Sequence, residues 1–147
     1  MATSANSRER IATLGGCCCG WRSGFGGALG ALARWSIGEL VLAVADSPTF
    51  PWGTLIANVV GCFAIGVLAP IVVRHAAWVS GLVVTGLLGG FTTYSAFAEE
   101  VFVLVDRGNA VGVGLAGIYV LVTIAATAIA VALGGRLARV RSTGEAA

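Results

Sequence analysis

The sequence predicts an all-α integral membrane protein, a bundle of four transmembrane helices in a single domain. Three observations carry this. The chain has 147 residues, 57% of them hydrophobic and only 11% charged, whereas a soluble domain carries roughly 25% charged residues. Mean hydropathy is +0.92. The few charges fall mostly outside long apolar runs, and the connections between runs are short.

A spanning helix needs about 20 mostly apolar residues, because in lipid it must satisfy its own backbone. Residues 23–45 form the first such run, although it holds Arg34 and Glu39. Charges at the centre of a span cost several kcal/mol, so both are expected to face protein or water or to lie near an end. Keeping this run as a span places both termini on one side. Residues 53–73, 76–98 and 109–135 carry no charge and supply the other three spans. A Pro-containing turn over 46–52, a minimal turn at Arg74 and His75, and a turn over 106–108 join them. The organisation predicted is a poorly ordered N-terminal extension over 1–22, a four-span domain over 23–137 and a polar tail over 138–147.

Several function classes drop out. Net charge is +2, carried by nine arginines and no lysine, too little to suggest a nucleic-acid partner. Cys17, Cys18 and Cys19 are adjacent and Cys62 lies in an apolar run, so no disulfide framework is indicated. Three neighbouring thiols also lack metal-ligand spacing. Leu14-Gly15-Gly16-Cys17 has the outline of a lipoprotein box, but the apolar stretch before it is too short for a signal segment. His75 is the sole histidine, and no nucleophile–base pair is evident. An enzyme is not expected.

Three strings break the apolar monotony. In Gly26-Gly27-Ala28-Leu29-Gly30-Ala31-Leu32-Ala33-Arg34, Gly26 and Gly30 have the small-xxx-small spacing of close helix packing, while Arg34 is a cation in need of a reason. In Gly53-Thr54-Leu55-Ile56-Ala57-Asn58-Val59-Val60-Gly61, Asn58 is the one amide of its span and fits either an interhelical hydrogen bond or a pore donor. In Gly89-Gly90-Phe91-Thr92-Thr93-Tyr94-Ser95-Ala96-Phe97, two glycines followed by two threonines make a poor helix at mid-membrane depth. Unwound backbone survives there only where it lines a cavity or holds an ion. The third helix is therefore expected to break near residues 89–93, with freed carbonyls suited to a hard cation such as Na⁺.

Together these strings resemble the Fluc (CrcB) fluoride channels, in order and at the family's spacing over residues 24–137. The resemblance implies an antiparallel, dual-topology-type dimer of four-helix subunits in the plasma membrane that exports fluoride passively. It implies that Asn58, Tyr94, Ser95 and Phe97 line the fluoride path. Arg34 and Glu100 would be vestibule charges. Gly89 and Thr92 would offer backbone carbonyls to a structural Na⁺ at the dimer axis. The residue types suit the ion: fluoride is small and strongly hydrated, so a pore must replace water with N–H and O–H donors and the positive edges of aromatic rings.

The chain departs from the family pattern in three places. Tyr94 stands where Phe is usual, Ala96 where Thr or Ser is common, and Cys17 to Ser23, with Arg22 among them, replaces an apolar stretch. Two other readings compete: a proton-coupled small multidrug transporter, for which Glu39 is the candidate membrane carboxylate, and a non-conducting partner subunit. Loop charge adds a further expectation. Arg8, Arg10, Arg22, Arg74, Arg136, Arg139 and Arg141 fall on the side of the termini, against Arg107 on the other. Such a bias sets orientation and favours a heterodimer with an oppositely oriented paralogue over a homodimer.

Overall fold

The computed structural model describes residues 3–44, 49–72 and 77–144, with side-chain surroundings over 20–44, 49–72 and 78–140. All the described structure is helical, with no strand among these residues. Helix α1 runs Thr3–Val44 and α2 runs Trp52–Val72. The third span opens with α3 (Ala77–Ser80), continues as a π-helical stretch (Gly81–Leu88), and ends its first half in α4 (Gly89–Phe91). Its second half is α5 (Ser95–Asp106), and α6 (Ala110–Gly144) follows.

Among the described residues, four stretches are long and apolar enough to cross a bilayer: Gly20–Val44, Trp52–Val72, Trp78–Asp106 and Ala110–Val140. The four expected spans are all present. The third is longer than its apolar run, at 29 residues, because it is two half-helices end to end. The Arg74–His75 turn and residues 46–48 of the 46–52 turn, like the side chains of Cys17 to Cys19, lie outside the described residues. The turn between α5 and α6 closes on Gly108, at φ 66°, a left-handed conformation that glycine adopts without steric cost. Asn109 then caps α6, its Oδ1 accepting the Gly112 N–H at 2.7 Å.

Glycine decides which helices touch. α1 lies on the first half of the third span: a Cβ on Gly30 would overlap the Leu87 carbonyl and the Phe91 amide, and one on Gly90 would overlap the Gly27 carbonyl. The Gly26/Gly30 spacing is thus met by Gly86 and Gly90 with the same spacing on the partner helix. α2 and α6 cross in the same way through Gly66 and Gly134. The bundle therefore consists of two backbone-close pairs. Leu55, Leu104, Ala116 and Tyr119 are buried where α2, α5 and α6 meet.

The break is narrower than the sequence suggested. Gly89 and Gly90 remain helical, and the chain leaves the helix at Thr92, which is extended at φ −79° and ψ 148°. The reason is packing: Gly90 gives up its side chain to let the backbone of Gly27 approach, and a helical turn serves that contact well. The π-helical stretch ahead of it has no counterpart in the sequence pattern; the Ser23 hydroxyl donates to its first carbonyl, Gly81 O, at 3.0 Å.

Candidate functional site

The break at Thr92–Tyr94 would leave polar backbone exposed at membrane depth, a cost of several kcal/mol per group. Asn58 on α2 meets it. The Thr93 N–H donates to Asn58 Oδ1 at 2.8 Å, and Asn58 Nδ2 donates to the Thr93 carbonyl at 3.0 Å. The side chain stands in for two lost helical bonds, and Asn58 is only 7% exposed. The amide was open to two readings, packing bond or pore donor. Its geometry serves the first and leaves one Nδ2–H for the second.

Two threonines finish the junction. Thr92 directs both its N–H and its hydroxyl to Leu88 O, each at 3.0 Å. The Thr93 hydroxyl accepts the Ala96 N–H at 3.2 Å and so caps α5. A consequence is that two carbonyls lose their helical partners. The Thr93 N–H that would reach Gly89 O is held by Asn58, and the Ala96 N–H that would reach Thr92 O is held by Thr93. Gly89 and Thr92 both line the groove described next. Freed carbonyl oxygens suit a hard cation, so the pair named from the sequence fits Na⁺. Among the described residues, no cluster of His, Cys, Asp or Glu is placed to hold a metal.

An open groove of about 810 Å³ runs along the break, between α2, α5 and α6. Asn58, Tyr94 and Phe97 line it together with Cys62, Thr93, Thr123 and Thr127. The Tyr94 and Phe97 rings are 6.0 Å apart, and Phe97 lies 5.1 Å from Tyr119. Tyr94 is 81% exposed, so its ring stands out from the single chain. Ser95 is not part of the groove lining; its hydroxyl is 3.2 Å from that of Thr93.

A second hollow of about 460 Å³ gathers Arg34, Glu39, Ala96, Glu99, Glu100 and Arg107 at the far end of α1. Glu100 sits at its inner wall with both oxygens engaged: Thr54 donates to Oε1 and Tyr119 to Oε2, each at 2.6 Å. Arg34 enters the same hollow with its Nε buried and without a hydrogen-bond partner.

Sequence reasoning missed the contribution of α6. Tyr119, Thr123 and Thr127 recur every fourth residue and so share one helix face, and that spacing was the available signal. Tyr119 is fully buried against Glu100, and the Thr123 hydroxyl is buried with no partner. Thr127 donates back to Thr123 O at 2.7 Å.

A four-span helical chain with a broken third helix and hydroxyls gathered along the break is a multi-pass membrane protein. The family described as "CrcB-like protein, Camphor Resistance (CrcB)" matches residues 21–135. The chain belongs to this CrcB family, the one its three polar strings resembled. Curated relatives carry the name "Fluoride-specific ion channel FluC". That of Rhizobium leguminosarum bv. trifolii is 44% identical over 112 residues, covering 74% of this chain and 86% of the relative. That of Agrobacterium fabrum is 39% identical over 117 residues, covering 78% and 90%. That of Cereibacter sphaeroides is 45% identical over 97 residues, covering 65% and 73%.

Proposed function

We propose that this chain is the subunit of a passive fluoride channel that lets the ion leave the cell down its gradient. The observation that carries the reading is the donor set along the groove, in a chain whose relatives are named fluoride channels. Asn58, with a spare Nδ2–H, Thr123, with an unpartnered buried hydroxyl, and the rings of Tyr94 and Phe97 line one space. Each offers a partial positive charge and none a full one. Such a lining replaces hydration water without binding the anion too tightly to release it. Arg34, with its unsatisfied Nε, draws anions to the vestibule. The hydroxyls of Thr54 and Tyr119 hold Glu100 to one side, so its charge is less of a barrier.

The groove is open along one face of a single chain, and a second subunit closes it. Gly89 and Thr92 would hold a structural Na⁺ there, with equivalent oxygens from the partner; bound, the ion supplies a fixed positive charge that keeps the two breaks in register. The arginine bias favours an oppositely oriented paralogue as that partner. The test is fluoride efflux from potassium-permeabilised liposomes containing this chain alone, since reconstitution from detergent inserts copies both ways and lets inverted copies pair. Efflux of fluoride with retention of chloride is expected. Intact dimers that release no fluoride would refute the conducting role, and proton-driven drug uptake would assign the chain to the transporter reading instead.

A further inference from the structure

Where α1 and the third span enter the bilayer, a cluster of side chains serves neither the groove nor the vestibule. The apolar runs of these two spans begin at 23 and 76, which sets Trp21, Arg22 and Trp78 close to the depth of an interfacial aromatic belt. Arg22 holds its guanidinium over the Trp78 ring, with Cζ 4.6 Å from the ring centre. Stacking uses the flat face of the cation and leaves the N–H donors on its rim available. Arg22 is exposed, and none of the described residues is seen to accept from that rim. Beneath it the walls are apolar. Trp21, Phe25, Trp78 and Leu82 complete an open pocket of about 290 Å³, with Phe25 60% exposed. The inward side of this stretch of α1 is taken up by Gly26 against the third span, so the pocket faces away from the bundle.

We propose that this pocket is a binding site for an anionic phospholipid, its phosphate on the Arg22 guanidinium and its first acyl carbons against Phe25 and Leu82. A planar fork of N–H donors matches phosphate oxygens, and here it is fixed at headgroup depth above an apolar slot. Charge selects the occupant. Arg136 and Arg139, near the end of α6, lie on the same side of the bundle, so the surrounding potential favours a net negative headgroup over a zwitterionic one that carries its own ammonium. The sequence departure at Cys17 to Ser23 thereby acquires a use: Arg22 is what an apolar stretch at that place would lack.

The test uses the full chain with Trp35→Phe and Trp52→Phe, so that Trp21 and Trp78 are the reporters. It is reconstituted in phosphatidylcholine vesicles containing a minor fraction of either brominated phosphatidylglycerol or brominated phosphatidylcholine, and tryptophan quenching is read. The brominated anionic lipid is expected to quench with about five-fold preference, the fold-change equivalent to about 1 kcal/mol per cationic side chain at a membrane surface. Arg22→Gln should bring the preference to about one, and Arg22→Lys should keep part of it. Equal quenching by both lipids, or a preference unchanged in Arg22→Gln, overturns the proposal. Loss of the preference on adding inorganic phosphate would mean a soluble-anion site, and no quenching by either lipid would mean a second copy covers the face; both also overturn it. None of these readings depends on fluoride flux.

Discussion

Asn58→Ala tests both tasks that one amide performs. The substitution removes both bonds to Thr93, at 2.8 and 3.0 Å, and strands a backbone N–H and C=O at membrane depth. Interhelical side-chain bonds in bilayers average about 0.6 kcal/mol and reach about 1.7, so the pair contributes about 1–3 kcal/mol to holding α2 against the break. The spare Nδ2–H adds a second effect. A hydrogen bond to a charged group is worth about 1.5–3 kcal/mol, which converts to a roughly 10- to 150-fold slower passage of fluoride. Asn58→Ala is thus expected to lose both flux and thermal stability. Flux is read in liposomes, stability by intrinsic tryptophan fluorescence on heating. Parental flux in Asn58→Ala would refute the donor role, and a parental melting temperature would refute the structural one.

Thr123→Val tests the unpartnered hydroxyl on α6. A buried polar group without a partner costs about 1–3 kcal/mol, so the near-isosteric valine should hold or raise the melting temperature while slowing fluoride efflux; a faster or unchanged efflux would remove Thr123 from the path. Orientation is read by tagging the C-terminus and probing it from each side of intact cells. The arginine bias predicts labelling from the extracellular side only after permeabilisation, and equal labelling of intact cells would rule out the heteromer with a paralogue.

The spans were legible because lipid imposes a length and an apolarity that any sequence must show, and Gly53 to Val72 meets both in plain view. The break was legible as a region but not as a residue. Gly89 and Gly90 looked like helix breakers, yet Gly90 is held helical by its contact with Gly27 on another span, a relation that local propensity does not contain. The same limit hid the identity of Asn58's partner: its target is the main chain of Thr93, and a main-chain atom leaves no mark in the sequence. Tyr119, Thr123 and Thr127 were visible at a spacing of four, but hydroxyls in an apolar helix often bond back to their own backbone, as Thr127 does, so the pattern alone did not mark a site.

The bond pair between Asn58 and Thr93 also orders events during the making of the protein. Outside a packed bundle, an open backbone at Thr92–Tyr94 would face hydrocarbon with nothing to bond to. The third span must therefore enter the bilayer as an unbroken helix, the Thr93 amide still on the Gly89 carbonyl. Only when the second span, already inserted, comes alongside can its amide take over both groups and let the chain turn out. The kink is thus a late acquisition: a latch thrown from a neighbouring helix after insertion, and one that a newly synthesised third segment cannot throw for itself.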